Sequence, residues 1–186
     1  MKKGVLVLAL AVLAAGGVFA QNGYENTYAP GLEDDKVFIN AGIGFGRTYE
    51  YKMSIPPISA SVDVKLPIDL PITVGGTVIF TAWNFDVLFV KARLKAFGFG
   101  VRGMYHFNLL ENLDLYAGPL IGLWYTHSKV ESNFWGMGDS DTEHDFDLLW
   151  GFSIGGRYFF TDLLGAYLEL GYNDLQFVSL GLSLKF

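Results

Sequence analysis

The chain has 186 residues, of which 51% are hydrophobic, 16% aromatic and only 17% charged, a composition too apolar for a disordered protein. Its formal net charge of −6 excludes the strongly basic surface that a nucleic-acid partner requires. The sequence contains no cysteine, which excludes disulfide scaffolds, Cys-ligated zinc and thiol catalysis.

The first twenty residues have the pattern of a secretory signal peptide. Two lysines precede an apolar run over residues 5–15, and small side chains surround a cleavage site after Ala20. The run is shorter than the roughly 20 residues that a spanning helix needs, which disfavours the alternative of a retained anchor. The sequence therefore predicts a signal peptide over residues 1–20 and a short periplasmic segment over residues 21–36.

From residue 37 onward, apolar and polar side chains alternate with a period of two, which is typical of β-strands. In residues 58–66, for example, Ile, Ala, Val, Val and Leu alternate with Ser, Ser, Asp and Lys. Eight such segments predict eight strands, over about residues 37–46, 57–66, 72–81, a fourth that ends at residue 107, and then 113–126, 146–161, 165–173 and 178–186.

Two places interrupt this alternation. Val90, Ala92, Leu94 and Ala96 are out of phase with the apolar positions that start at Phe97, so the pattern predicts a bulge near Ala96. Pro119 falls inside the fifth predicted strand, where it removes a hydrogen-bond donor. We therefore expect a second bulge at this proline.

The composition of the polar face indicates which face of the sheet lines the barrel interior and which faces lipid. It is rich in glycine, which packs nothing on a solvent-exposed face but suits the narrow interior of an eight-stranded barrel. The bulky apolar face suits lipid, and backbone groups in lipid must all be paired, which requires closure of the sheet. Aromatic residues predict an inner and an outer girdle, the inner of Tyr105, Phe107, Tyr158 and Phe160 and the outer of Phe45, Phe80, Tyr125, Trp150 and Tyr172.

The predicted fold is therefore all-β, an eight-stranded antiparallel transmembrane β-barrel over residues 37–186 after a cleaved signal peptide. Short connections at one end and long loops at the other, over residues 47–56, about 82–93 and 127–145, predict the periplasmic and outer sides. A soluble lipocalin-like barrel, with its apolar face inside, is the alternative. Apolar residues in the long segments predict a sticky outer surface, which packs against lipid headgroups or, less favoured, binds an external ligand, namely Trp83, Phe85, Phe134, Trp135 and Met137.

The last strand carries apolar residues at every second position up to the final phenylalanine, namely Val178, Leu180, Leu182, Leu184 and Phe186. This resembles the C-terminal assembly signal of bacterial outer-membrane barrels. With the strings RGMYHF, NLDLYAG and GLSLKF, the chain resembles small eight-stranded barrels such as the outer membrane protein A transmembrane domain, outer membrane proteins W and X, and spirochaetal small barrels. The resemblance implies the bacterial outer membrane, with its lipid and the barrel-assembly machinery as partners.

Charged residues also fall on the face predicted to line the lumen, namely Asp63, Lys65, Arg102, Arg157 and Glu169. An unpaired buried charge is costly, so these groups must pair, and Arg157 and Glu169 on neighbouring strands are expected to face each other. Such a network either plugs and fixes the barrel or acts as a gate that opens when pairs exchange. A lumen this narrow excludes a wide aqueous channel.

Two strings resemble parts of lipid-modifying outer-membrane enzymes. The deacylase of this barrel class has a His-x-Ser pair, but here His127 and Ser128 are adjacent and would point to opposite faces of a strand. The palmitoyl-transferring barrel relies on a His with an Asp-Ser pair, for which Asp139-Ser140 and His144 are the nearest match. Neither string supports a catalytic residue.

The acidic segment near residue 140 resembles the start of a calcium-binding loop. Asp139, Asp141 and Glu143 have the right spacing, but the sixth position is His144 rather than Gly and the twelfth is Trp150 rather than Glu. We therefore predict no metal site and no cofactor, and leave open a loose Ca²⁺ or Mg²⁺ contact in residues 127–145.

The leading hypothesis is a non-enzymatic outer-membrane barrel, either a narrow pore for small or apolar solutes or a structural surface protein. The alternative is an adhesin that binds an external ligand through the long outer loops. A lipid A-modifying enzyme is the least favoured hypothesis, because no convincing dyad is present.

Overall fold

A computed structural model describes residues 37–46, 52–87, 90–110, 112–134, 137–173 and 175–186. They form strands β1 (Val37–Phe45), β2 (Lys52–Lys65), β3 (Ile72–Val87), β4 (Val90–Leu110), β5 (Leu113–Phe134), β6 (Met137–Phe159), β7 (Leu164–Tyr172) and β8 (Val178–Lys185). The predicted signal peptide (1–20) and periplasmic segment (21–36) lie outside the described residues. Within those residues, no helix is long and apolar enough to span a membrane.

Each strand pairs antiparallel with the next one, and β8 pairs with β1, so the sheet is a closed barrel. The closing register runs from Phe45 opposite Val178 to Phe38 opposite Lys185. Beyond it, Val37 and Phe186 exchange two backbone hydrogen bonds of 2.9 and 3.0 Å. Closure removes the free sheet edges, as a lipid-exposed sheet requires. The predicted eight-stranded antiparallel barrel is confirmed.

Apolar side chains cover the outside of the barrel. Ile121 is 61% exposed, Leu182 58% and Trp150 55%, whereas the polar residues between such positions are buried. A lipocalin-like barrel would bury its apolar face, so that alternative is wrong. An exterior of this kind is suited to lipid rather than to water.

Aromatic residues lie on the exterior at two levels. Ring centroids are 5.0 Å apart in Tyr105–Phe107 and 5.7 Å in Tyr158–Phe160 at one end, and 4.9 Å in Tyr125–Phe146 and 5.9 Å in Trp150–Tyr172 at the other. On β4, about ten residue steps separate Phe97 from Phe107. At about 3.4 Å per step and a tilt of about 40°, they span about 26 Å, close to the height of an outer-membrane apolar band.

The predicted long loops are largely strand. Pairing of β3 with β4 continues to Val87 opposite Val90, and pairing of β5 with β6 continues to Phe134 opposite Met137. The expected loops at residues 82–93 and 127–145 are therefore two extended hairpins. The sequence predicts strands only as far as the apolar alternation extends. A hairpin beyond the membrane needs no lipid-facing apolar residues, and charged side chains take their place.

The bulge predicted near Ala96 is wrong. The register between β3 and β4 is unbroken from Tyr105 to Val90, and so is the register between β4 and β5 across Ala96. Ala92, Leu94 and Ala96 occupy the inner face of the same regular strand, and Ala96 is fully buried there. The phase changes because the inner face becomes apolar near the mouth of the barrel.

Pro119 also causes no bulge. Its strand pairs with β6 in one register throughout, and its pairs with β4 keep the same register on both sides of the proline. Gly103 lies across from it, with nothing within 4 Å of the position that a Cβ would take. Register shifts occur instead between Met53 and Ile58 in β2, which includes Pro56, and between Asn108 and Leu110 in β4.

Candidate functional site

The lumen contains a network of buried charges around Arg102. Its Nε donates to Asp63 Oδ1 at 2.7 Å, its Nη1 to Glu169 Oε2 at 2.9 Å and its Nη2 to Ser61 Oγ at 2.8 Å. Arg102 lies on β4, Asp63 on β2 and Glu169 on β7, so one guanidinium connects three strands across the lumen. Each of the three residues is less than 9% exposed.

Arg157 of β6 extends the network toward the end with the short turns. Its Nη1 donates to Asp114 Oδ2 at 2.8 Å and its Nε to Asn40 Oδ1 at 3.1 Å, while its Nη2 is ion-paired with Asp63. The Asp63 carboxylate therefore lies between two arginines. Charge-assisted pairs of this kind are the compensation that buried ions need.

Tyr116 packs against both arginines. Its ring centroid is 4.2 Å from the Arg157 guanidinium carbon and 6.0 Å from that of Arg102, and its hydroxyl donates to Glu169 Oε2 at 3.1 Å. The ring lies over Gly155, where an added Cβ would come within 2.6 Å of a ring carbon. Glycine at that position lets the ring reach the network.

A hydroxyl, an imidazole and a carboxylate lie in line next to this network. Thr73 Oγ1 is 2.9 Å from His106 Nε2, and His106 Nδ1 is 2.7 Å from Asp114 Oδ1. The order is that of a hydrolase triad. However, Thr73 and His106 are at most 2% exposed, and Asp114 is also ion-paired with Arg157. These side chains therefore belong to the packed interior of the barrel, where their burial gives a substrate no access.

Of the charges predicted to line the lumen, Asp63, Arg102, Arg157 and Glu169 are brought together, and Lys65 is buried at 8% exposure. The pairing differs from the expected one, because Glu169 accepts from Arg102. In the register of β6 and β7, Arg157 lies opposite Tyr167 rather than Glu169. Its guanidinium extends across the lumen to Asp63 and Asn40 instead. Sequence reasoning did not assign further members of the network, although the alternation places them on the inner face: Asn40, Ser61, His106, Asp114 and Tyr116.

An apolar cluster fills the interior toward the long hairpins. It consists of Ile79, Trp83, Ala96, Leu120, Leu149 and Leu175, with Met53, Leu94 and Trp124 packed against it. Trp83, expected on a sticky outer surface, is fully buried in this plug, since the residue lies on the inner face of β3. The other end of the interior holds Phe38 and Phe159, whose ring centroids are 6.2 Å apart.

Little space is left between the plug and the network. A polar cavity there has a volume of about 10 Å³, enough for about one water molecule, and its lining includes Arg102, Glu169 and Gln176. A larger hollow of about 490 Å³ lies along the barrel wall, and its lining includes the lipid-facing Val62, Val78 and Phe99.

The extended hairpins have two faces of different charge. Along β6, Asp141, Glu143, Asp145 and Asp147 follow one another at every second position, on the face that becomes the barrel interior at Leu149. Along β4, Lys91, Arg93 and Lys95 continue the outward face that carries Phe97. The acidic segment of the sequence is thus one face of a ribbon.

The outer rim has a polar cluster on its outward face. His127 lies opposite His144, with their Nδ1 atoms 3.3 Å apart, and the Tyr125 hydroxyl is hydrogen-bonded to His144. Ser128 lies opposite Glu143 on the other face, as the adjacency of His127 and Ser128 predicts. In the part of the chain that the structure describes, no three His, Cys, Asp or Glu side chains are grouped to hold a metal ion.

The C-terminal residues of the predicted assembly signal form β8. Val178, Leu180, Leu182 and Leu184 lie opposite residues of β1 in the closing pair, and Leu180, Leu182 and Phe186 are 43%, 58% and 57% exposed. Their recognition by the assembly machinery stays a prediction.

No protein-family model and no curated protein matches this chain. Among solved structures, it is similar to Ail, the attachment invasion locus protein of Yersinia pestis, in complex with the heparin analogue sucrose octasulfate, with 17% identity, a TM-score of 0.56, and coverage of 83% of this chain and 100% of Ail. The N-terminal β-barrel domain of Pseudomonas aeruginosa OprF (16%, 0.46, 82% and 98%) and Neisserial surface protein A (15%, 0.45, 81% and 96%) also match. The likeness to Ail shows the fold of a small outer-membrane barrel.

Proposed function

We propose that this protein is an integral outer-membrane barrel with a closed lumen, which acts as a non-enzymatic surface protein through its extended hairpins. The observation that carries the proposal is the filled interior. Phe38 and Phe159 occupy one end, the charge network the middle, and the apolar plug around Leu149 and Leu175 the mouth. A barrel filled in this way can act only at its surfaces.

The energetic cost of opening supports a closed lumen rather than a pore. Water or solute could pass the middle only if Arg102 or Arg157 left its carboxylate partners. Breaking one buried ion pair costs about 3–5 kcal/mol, and each guanidinium takes part in two pairs. The hydroxyl, imidazole and carboxylate of Thr73, His106 and Asp114 are buried in the same layer, which supports a protein without enzymatic activity.

Dye release from liposomes tests the closed lumen. Residues 21–186 would be refolded into vesicles that contain a small polar dye, and insertion would be verified by the heat-dependent gel mobility of the folded barrel. We expect release at the rate of protein-free vesicles. Release above that background from folded protein would contradict the proposal and favour the narrow pore.

The second candidate function is adhesion through the hairpins, which is favoured by the length of the β5–β6 ribbon beyond the apolar band. Ail, which shares the fold, is described in complex with a heparin analogue. We would measure capture of proteoliposomes on immobilised heparin. The comparison is a variant with residues 127–144 replaced by Asn-Gly, which joins the register pair Thr126–Asp145 through a two-residue turn. Capture that the variant loses supports adhesion, and equal capture of both contradicts it.

A further inference from the structure

One face of the extended hairpins carries a concentrated positive charge. This outer basic face consists of Lys91, Arg93 and Lys95 on β4 and Lys129 on β5. The β4 residues are exposed, and the Lys129 side chain is 44% exposed. Unbroken register between β4 and β5 places all four on the face that carries the lipid-facing Phe97 and Tyr125 below them.

The cations are unevenly compensated along this face. At its upper end, Lys91 lies opposite Glu131 on β5 and opposite Asp86 on β3. Lys129 is ion-paired with Glu131 at 2.6 Å, and this hydrogen bond, with the fields of Arg93 and Lys91, lowers the pKa of the Glu131 carboxyl. By their place in the register, the acidic residues of this face therefore lie at its end farthest from the barrel.

Toward the barrel the cross-strand partners of these cations are a second cation, an amide or an imidazole. Arg93 lies directly opposite Lys129, with Asn84 on its other side, and Lys95 lies opposite His127. Like charges directly opposite each other destabilise an antiparallel pair. A bound anion would relieve that repulsion.

The height of these residues identifies the environment. The pair Phe97–Tyr125 is part of the outer aromatic level, and Lys95 and His127 form the next outward-facing pair. Two residue steps along a strand tilted by about 40° rise about 5 Å, and the pair Arg93–Lys129 lies about 5 Å higher. The polar headgroup layer on each side of a bilayer is about 5–8 Å thick. The lower half of the outer basic face therefore lies at the level of the lipid phosphates.

The opposite face of the extended hairpins has the reverse charge. Asp141, Glu143, Asp145 and Asp147 are exposed there, and the whole chain carries a formal charge of −6. The cations of the outer basic face thus do not reflect a generally basic protein. Lysine and arginine can also rest their apolar stems on the adjoining lipid.

We propose that the outer basic face binds the phosphate groups of lipid headgroups in the adjoining leaflet, with Arg93, Lys95 and Lys129 as the principal contacts. This goes beyond the proposed surface function, because it assigns the two faces of the extended hairpins to different surroundings. The outward face is held by the membrane, and the acidic face remains turned toward the barrel axis and the medium.

Lipid selectivity measured by electron spin resonance tests this proposal. Residues 21–186 would be refolded in phosphatidylcholine bilayers with spin-labelled phosphatidic acid or spin-labelled phosphatidylcholine. The fraction of motionally restricted label reports association with the barrel wall. We expect wild type to prefer phosphatidic acid, with a preference that falls as salt screens the charges. In the double variant Lys95→Gln, Lys129→Gln the preference should fall by up to about fivefold for each cation removed.

Two matched variants act as controls. Lys95→Arg, Lys129→Arg keeps the charges and should keep the preference, and Asp141→Asn, Glu143→Gln changes only the other face and should not reduce it. All these positions are exposed to at least an intermediate degree and lie beyond the apolar band, so folding is not at risk. Equal association of both lipids with wild type, or an unchanged preference in the glutamine variant, overturns the proposal.

Sucrose octasulfate distinguishes a soluble polyanion from lipid phosphate as the occupant. If it binds wild type in bilayers, is lost in the glutamine variant, and no lipid preference is seen, then the face serves an external sulfated ligand and the lipid proposal is wrong. A lipid preference lost in the glutamine variant supports the proposal. Because neither measurement depends on the lumen, both results are separate from that of dye release.

Discussion

At the scale of single residues, Asp63 has the most demanding position in the barrel. Its carboxylate accepts from Arg102 and from Arg157, and it is fully buried. Electrostatic attraction is strong where water is excluded, but so is the penalty for a charge that loses its partner. Removal of this one carboxylate would leave each buried guanidinium with a single carboxylate partner, Glu169 for Arg102 and Asp114 for Arg157.

We therefore expect Asp63→Asn to lower the free energy of unfolding by about 3–5 kcal/mol. A urea titration in detergent micelles, with the folded fraction measured by gel mobility, gives this value. Ser61→Ala is the milder comparison, because it removes the hydroxyl that accepts from Arg102 and Asn40 but keeps every ion pair, and it should cost about 1–3 kcal/mol. Equal stability of wild type and the Asp63 variant would show that the network contributes nothing.

The contact of Gly155 with the Tyr116 ring leads to a second prediction. Gly155→Ala places a Cβ within 2.6 Å of the ring and should force it away from Arg157, at a cost of about 1–3 kcal/mol. Tyr116→Phe keeps the ring and loses the hydrogen bond to Glu169, so its effect should be about 1 kcal/mol. The same titration checks both, and a harmless Gly155→Ala would refute the packing argument.

At the scale of elements, the extended hairpins are continuations of barrel strands. A two-stranded ribbon is marginal in water on its own, and here β5 and β6 are aligned by their pairing inside the barrel. The barrel in turn does not depend on the ribbon, since its core at Leu149 and its charge network lie below residue 145 of β6.

Replacement of residues 127–144 by Asn-Gly should therefore leave a folded barrel, with a change in unfolding free energy of less than about 1 kcal/mol. By contrast, Leu149→Ala should cost about 2–5 kcal/mol, because it empties part of the plug. Gel mobility and urea titration of both variants check this order. A truncated chain that fails to fold would mean that the ribbon nucleates the barrel.

The alternation of particular residues explains what the sequence predicts and what it does not. Wherever apolar side chains alternate toward lipid, as at Val178 to Leu184, strand and face follow from the period alone. Beyond the membrane that constraint ends, so the strand character of residues 127–145 is set by pairing and not by an apolar face. The partners of Arg157 lie up to 117 residues away, and such contacts depend on the shear of the closed barrel.

At the scale of the whole molecule, the proposed closed lumen has two barriers in series. The apolar plug closes the mouth, and the network of Asp63, Arg102 and Arg157 closes the middle. In that proposal either barrier alone stops a hydrated solute, and the polar cavity of about 10 Å³ next to the network is in keeping with it. Opening the barrel would require both to move together.

We expect the variant Leu149→Ala, Leu175→Ala to keep dye release at background, because the network below the plug is intact. The liposome assay measures this directly, with wild type as the reference. A marked increase in release would show that the plug is the only effective barrier and that the network passes water and solute.

The long sequence separations within the network have a consequence for how the barrel forms. Arg157 reaches Asn40 across 117 residues and Asp63 across 94, so its partners lie on strands that are near the opposite end of the chain. A partly assembled sheet without β1 and β2 would leave Arg157 with Asp114 of the neighbouring strand but without Asp63, and a buried cation with fewer partners is costly. We therefore expect the network to favour the closed barrel over partly assembled sheets.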